Sequence, residues 1–97
     1  MITLGTFTKT GDAFQGSIVR GDLTAHIDIV PVGDGAAVKG MFRIYADGSP
    51  IGSGWQARDA RGRDYLLVRI VGTGEAGPLT CRLVTDRGDF YALLGLP

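Results

Sequence analysis

Short segments of alternating polarity, separated by glycine-containing turns, constrain the fold of this chain more than any other feature. The 97 residues include 16 glycines, and turns recur about every 8–12 residues, the spacing expected of all-β domains. The alternation is clearest in residues 23–30, and no window of helical length shows an apolar stripe with a period of 3.6 residues. One face of this segment carries Leu23, Ala25, Ile27 and Ile29, and the other carries Thr24, His26 and Asp28.

The pattern predicts one all-β domain, residues 1–97, with seven or eight antiparallel strands that follow one another mostly as a meander. About 100 residues suit a single core. A sheet of this size must curl into a barrel or fold into a two-layer sandwich to bury its apolar face, and the sequence leaves both open. An incompletely closed sheet would expose edge strands, through which the chain could self-associate.

The predicted strands are delimited by turn residues. They cover residues 2–9, 14–20, 23–30, 38–46, 51–58, 64–71, 79–85 and 90–96. Loops are expected at residues 33–37 and 72–78, and a short helix could form only near residues 33–39. In the last strand, Phe90, Ala92 and Leu94 share one face.

Composition limits the classes of function. Ten basic and ten acidic residues give no formal net charge, so any binding of nucleic acid must come from a local patch. Cys81 is the only cysteine, which excludes an intrachain disulfide. The first residues show no secretory signal and the longest apolar stretch is too short to span a bilayer. We therefore expect a cytoplasmic protein without a membrane partner.

Residues 51–70 form the candidate binding site, because they hold the only tryptophan and the densest cluster of arginines. They are typical of a β-hairpin, with a turn at residues 59–63 in which Gly62 can take a positive φ. One face of the first strand carries Ser53, Trp55 and Ala57, and one face of the second carries Tyr65, Leu67 and Arg69. If the register joins these faces, Trp55 and Tyr65 form an aromatic patch rimmed by Arg58, Arg61, Arg63 and Arg69.

Three interpretations of this hairpin remain open. Trp, Tyr and Arg dominate the energetics of protein interfaces, which favours a protein partner. The same residues could stack bases and hold phosphates of a single-stranded nucleic acid. The third interpretation is structural: Trp55 and Tyr65 would form a cross-strand pair, with solvated arginines near Asp59 and Asp64. The absence of net charge places the protein partner before the nucleic acid.

No motif supports catalysis, a cofactor or a metal. Residues 72–77 match GxGxxG, but a strand-like segment follows where a dinucleotide site needs a helix. His26 and Asp28 share the polar face of one strand, where only Thr24 or Ser17 could act as a nucleophile. Cys81 lies on an apolar face, where a thiol fills the core. One histidine and one cysteine without paired spacing do not make a metal site.

Several segments together form a recognisable pattern: Gly-Thr-Phe-Thr-Lys-Thr-Gly-Asp at residues 5–12, residues 42–45, Trp55 and residues 62–66. In these segments the chain as a whole resembles the domain of unknown function 736 family of small bacterial proteins. The resemblance implies a compact β-protein, often encoded on plasmids and integrated elements, and it implies no reaction. The family usually has Lys-Lys-Thr-Ser or similar after the tryptophan. This chain has Gln-Ala-Arg-Asp, which weakens a phosphate contact there.

These observations lead to one expectation. The chain should be a non-catalytic binding protein of a mobile genetic element that contacts a protein partner, such as a host or defence component, through the hairpin. Single-stranded nucleic-acid binding by the same surface is the alternative.

Overall fold

The computed structural model describes residues 2–20, 23–32, 40–71 and 79–95. Eight strands form in these ranges. They are β1 Ile2–Thr10, β2 Ala13–Arg20, β3 Leu23–Pro31, β4 Met41–Ala46, β5 Ser49–Arg58, β6 Asp64–Ile70, β7 Leu79–Arg87 and β8 Phe90–Gly95. The predicted loops at 33–37 and 72–78, the GxGxxG segment and the possible short helix near 33–39 lie outside the described residues.

The strands close into an antiparallel barrel. Each strand pairs with its neighbours in the chain, and β1 pairs with β8 to complete the ring. This confirms the all-β meander and selects the barrel over the sandwich. A barrel of about eight strands has an interior that is narrow enough for side chains to fill.

Closure also corrects the expectation of exposed edges. Every strand of the described ranges is hydrogen-bonded on both sides, so the open edges that would support self-association by strand pairing do not form. Self-association as such is not tested by this closure and stays a prediction.

The barrel interior is apolar. The described residues include no buried polar or charged residue, and alternation holds on β3, where Ala25, Ile27 and Ile29 are buried while Thr24 and His26 are exposed. Because side chains alternate across a strand, the apolar sets identified by alternation meet in one core. The buried residues are Phe7, Phe14, Ile18, Ala25, Ile27, Ile29, Phe42, Ile44, Ile51, Leu66, Val68, Ile70, Cys81, Leu83 and Leu93.

Aromatic rings pack near the barrel end where β1 meets β2. The Phe14 ring lies 6.1 Å from that of Phe42 and 4.9 Å from that of Tyr91, the second pair in an edge-to-face arrangement. Such geometry stabilises aromatic pairs beyond their burial. These rings therefore help to close the core at this end.

On the last strand, the core is faced by the residues that alternate with Phe90, Ala92 and Leu94. Leu93 is fully buried, so Phe90, Ala92 and Leu94 share the outer face, and Phe90 is 54% exposed. Both faces of β8 are apolar in sequence, and pairing with β1 and β7 decides which one points inward.

The hairpin turns form as predicted. Asp47 and Gly48 have φ values of 50° and 88°, and Gly62 has a φ of 81°. Positive φ at both central residues is the requirement of a type I′ turn, which matches the twist of the flanking strands.

No helix in the described residues is long and apolar enough to cross a membrane.

Candidate binding surface

The β5–β6 hairpin presents its predicted faces together on the outside of the barrel. Its register places Ser53 opposite Arg69, Trp55 opposite Leu67, and Ala57 opposite Tyr65. Directly opposed residues project from the same side of an antiparallel pair. The intervening residues, Leu66 and Val68 among them, point into the core.

Trp55 lies at the surface, with 37% of its area exposed. Its direct cross-strand neighbours are Met41 on β4 and Leu67 on β6. Tyr65 lies diagonally from it, two register pairs further towards the turn. The ring contacts found in the described residues join Phe14 to Phe42 and Tyr91, and none joins Trp55 to Tyr65. The two residues share a face, but a stacked Trp55–Tyr65 pair does not form.

The register extends the row that contains Trp55 across the barrel wall. Leu67 pairs with Arg82 on β7, and Arg82 pairs with Leu94 on β8. These outward residues form a continuous strip that is apolar except for one cation. We call it the outer band: Met41, Trp55, Leu67, Arg82 and Leu94.

Two arginines of the turn are engaged with the turn itself. Arg58 Nε donates to Asp64 Oδ1 at 3.1 Å, and Arg63 Nε lies 3.7 Å from Asp59 Oδ2. Exposed pairs of this kind contribute little stability, but they reduce the positive charge available to a ligand. The side chain of Arg61 forms no ion pair with the described residues.

The carboxylate of Asp59 organises the turn. Its Oδ1 accepts hydrogen bonds from the backbone N–H groups of Arg61 and Arg63, both at 2.9 Å. The Arg63 N–H is the largest cause of a pKa of Asp59 below its usual range, and the Arg61 N–H and the nearby guanidinium groups act in the same direction. Hydrogen bonds to the ionised form favour that form.

The six predicted site residues therefore divide into two groups. Trp55, Tyr65 and Arg69 lie on the barrel wall, where Arg69 is exposed beside Ser53 and Thr80. Arg58, Arg61 and Arg63 lie at the turn, where Arg63 lines the same groove as Tyr65. Arg58 does not share the outer face of Trp55, because side chains alternate along a strand and Arg58 directly follows the outward-facing Ala57.

Arg82 is a part of the surface that sequence reasoning missed. Its guanidinium carbon lies 4.9 Å from the centre of the Tyr65 ring, and its Nε atom is buried without a hydrogen-bond acceptor among the described residues. Alternation around Cys81 would have placed Arg82 on the outer face, but only the β6–β7 register brings it beside Tyr65.

An open groove of about 660 Å³ runs from the turn to β7. The groove extends from the turn residues to Arg82, the cation of the outer band. Its lining residues are Asp59, Arg63, Asp64, Tyr65, Arg82, Val84 and Thr85.

His26 and Asp28 lie close together on the outer face of β3. His26 Nε2 lies 3.4 Å from Asp28 Oδ1, with 53% of the His26 side chain exposed. Ser17 is opposite His26, but no hydrogen bond joins these two side chains. Cys81 is fully buried. The described residues contain no group of three His, Cys, Asp or Glu side chains that could hold a metal ion.

Comparison with known proteins places this barrel in a family. The profile of DUF736, described as a protein of unknown function, matches residues 3–94. The chain belongs to the DUF736 family. The match confirms the resemblance seen in the sequence, and it runs from β1 into β8, so the DUF736 region includes the outer band and the groove. No curated protein and no solved structure is similar enough to match.

Proposed function

We propose that this DUF736 protein is a non-catalytic binding protein of a mobile genetic element. It contacts a protein partner, such as a host or defence component, through the hairpin surface, which we define as Trp55, Tyr65 and Arg69 with the turn arginines Arg58, Arg61 and Arg63. The observation that carries the proposal is Trp55, exposed in the middle of the outer band. The link to a mobile element rests on the family resemblance.

The composition of the outer band supports a protein partner. Met41 and Trp55 are each 37% exposed, and Leu67 lies between Trp55 and Arg82 in the same row. Contiguous exposed apolar residues on a small protein mark interaction sites more often than isolated ones do. Trp and Arg beside apolar residues are typical of the energetic centre of an interface.

The charges around the turn support a protein over a nucleic acid. Binding of a phosphate backbone depends on cations that can replace counterions. Arg58 and Arg63 are paired with Asp64 and Asp59, and the chain has no formal net charge. The hairpin therefore offers a single-stranded nucleic acid few unpaired cations.

The interior supports a role without catalysis. The barrel core is filled by apolar side chains, and no buried polar residue occurs in the described ranges. Enzyme sites usually combine a pocket with polar groups whose environment changes their reactivity. Here the charged groups of the groove lie on the outside of the barrel, where Asp59 and Asp64 are paired within the turn and Arg82 stacks on Tyr65.

The test is capture of partners from cells that carry the mobile element, followed by reconstitution. Bait proteins would be the wild type, Trp55→Ala and Val19→Ala, because Val19 is an exposed apolar residue on the opposite wall. We expect one protein to bind the wild type and Val19→Ala and to lose at least about tenfold in affinity for Trp55→Ala, the loss expected of a hot-spot residue. The identified protein, purified, must reproduce this difference.

A parallel titration separates the nucleic-acid alternative. Trp55 is the only tryptophan, so its fluorescence reports on the hairpin when single-stranded oligonucleotides are added at low and moderate salt. A saturable response that weakens steeply with salt and disappears in Arg61→Ala would favour nucleic-acid binding. Equal partner binding by wild type and a folded Trp55→Ala would overturn the proposal.

A further inference from the structure

We infer that Arg82 is a receptor for a carboxylate, supplied by an aspartate or glutamate side chain of the protein partner. Arg82 lies next to Leu67 and Leu94 in the outer band and lines the groove beside the turn. It can serve in this way only if the surface around Trp55 binds a protein, so this role rests on the proposed function.

The orientation of Arg82 leaves the terminal Nη groups of its guanidinium to meet a ligand. The guanidinium lies over the face of the Tyr65 ring, with 4.9 Å between its carbon and the ring centre. Stacking holds the planar group in place, and a guanidinium carries its N–H donors along its edge. Nε is buried without an acceptor among the described residues and is closed to a ligand. The two Nη groups would therefore form the fork that holds a carboxylate.

The neighbouring carboxylates have other partners. Asp59 accepts from the backbone of Arg61 and Arg63, and Asp64 pairs with Arg58. No carboxylate of the described residues lies within ion-pair distance of Arg82, so its guanidinium forms no direct ion pair there. Apolar neighbours on both sides strengthen a charge-assisted hydrogen bond, because they exclude water.

The charge of the groove favours a carboxylate over a phosphate. Arg63 and Arg82 contribute two positive charges to its lining, and Asp59 and Asp64 contribute two negative charges. A phosphate with nearly two negative charges would be repelled by both aspartates. A carboxylate carries one charge, and its two oxygens match the fork of a guanidinium.

The test observes the Arg82 Nε–Hε resonance by NMR in the full chain. The probe is an acetylated and amidated pentapeptide with a central glutamate flanked by leucines, compared at equal ionic strength with its glutamine counterpart. We expect the glutamate peptide to move the Arg82 resonance saturably and the glutamine peptide to leave it in place. Arg82→Lys should weaken binding of the glutamate peptide about tenfold, because it loses the bidentate geometry.

A matched variant controls for charge in general. Arg43→Lys changes an exposed arginine on β4, three strands away from β7, and should leave the affinity unchanged. The fold of Arg82→Lys is checked by its NMR spectrum, and Arg82→Gln provides a second variant without the positive charge.

Three results would overturn the carboxylate role: equal responses to the two peptides, an Arg82 resonance that neither peptide moves, or a stronger response to inorganic phosphate. Trp55→Ala distinguishes this failure from failure of the proposed function. If both peptides bind and Trp55→Ala abolishes binding while Arg82 stays silent, the surface binds proteins without the carboxylate contact. If the Arg82 resonance responds and Trp55→Ala has no effect, the surface binds the carboxylate peptide through Arg82, and only the contribution of Trp55 to that contact is overturned.

Discussion

The two walls of the barrel share one core and differ on their outer faces. The wall of β1 to β3 carries mostly small or polar residues outside, whereas the wall of β4 to β8 carries the outer band. Inward residues on both walls are similar, for instance Ile27 on β3 and Ile70 on β6, which are both fully buried. The outward residues of the polar wall include Thr6, Thr8, Gln15, Ser17, Thr24, His26 and Asp28.

This difference separates the residues that build the fold from those that can recognise a ligand. Strand alternation requires an apolar inner set and leaves the outer set unconstrained by the core. A polar outer face is sufficient for solubility. The tryptophan, methionine and leucines of the second wall therefore call for a reason other than folding, and contact with a partner is the reason we propose.

The largest expected effect tests whether the two walls depend on the same core. Ile27→Ala and Ile70→Ala should each lower the free energy of unfolding by about 2–5 kcal/mol, because each leaves a cavity in a filled interior. Chemical denaturation measures both. His26→Ala, an exposed change on the polar wall, should stay within about 0.5 kcal/mol. A cost for one isoleucine near that of His26→Ala would mean that the walls do not share one core.

A smaller loss of stability is expected from a substitution that disturbs only the wall with the outer band. A side chain at Gly52 would collide with the backbone carbonyl of Arg69 on β6, whereas at Gly54 it would lie 3.5 Å from the Leu67 carbonyl, an ordinary contact. We expect Gly52→Ala to destabilise the protein by about 1–3 kcal/mol through overpacking. NMR shift changes should concentrate on β5 and β6.

Gly54→Ala is the matched control, one inward position further along the same strand. We expect it to be neutral or to stabilise by up to about 1 kcal/mol, since alanine reduces the freedom of the unfolded chain. Equal destabilisation by the two substitutions would contradict the close approach of β5 and β6 at Gly52.

The smallest effect concerns the turn at the end of the groove. The pKa of Asp59 is lowered from 3.8, mainly by the Arg63 N–H. A lowered folded-state pKa means that the carboxylate contributes stability at pH values above its unfolded pKa. This contribution is lost as the pH falls through the lower folded-state pKa.

We therefore expect the Asp59 carboxyl to titrate below pH 3.8, with the amide resonances of Arg61 and Arg63 moving in the same step. An NMR titration of the carboxyl carbon measures this. In Asp59→Asn the step should disappear while the polar wall is unaffected. Titration at or above the usual value would contradict the hydrogen bonds to the two amides.

Much of the fold could be predicted because its signals are local. The positive φ of Gly62 and the Asp47–Gly48 turn follow from residue types that tolerate such backbone conformations. The inner set of β3 follows from alternation. In β8 this signal failed to separate inside from outside, because apolar residues occur on both faces and Leu93 proved to be the buried one.

Part of the candidate site could also be predicted from the local alternation of side chains. Trp55, Tyr65 and Arg69 share a face because side chains alternate within one hairpin. The arginines were expected around the patch of Trp55 and Tyr65. Arg58 and Arg63 pair with aspartates of the turn, and Arg63 also lines the groove beside Tyr65. Turn geometry, which alternation does not describe, decides where those side chains point.

The sequence by itself determined the strands, their turns and, outside β8, the apolar set that fills the interior, because each depends on residues close together in the chain. Only the tertiary structure decided that the sheet closes, that β1 pairs with β8, and that Arg82 lies over Tyr65. Those contacts depend on the register between strands, and many registers satisfy the same alternation until a closed core selects one.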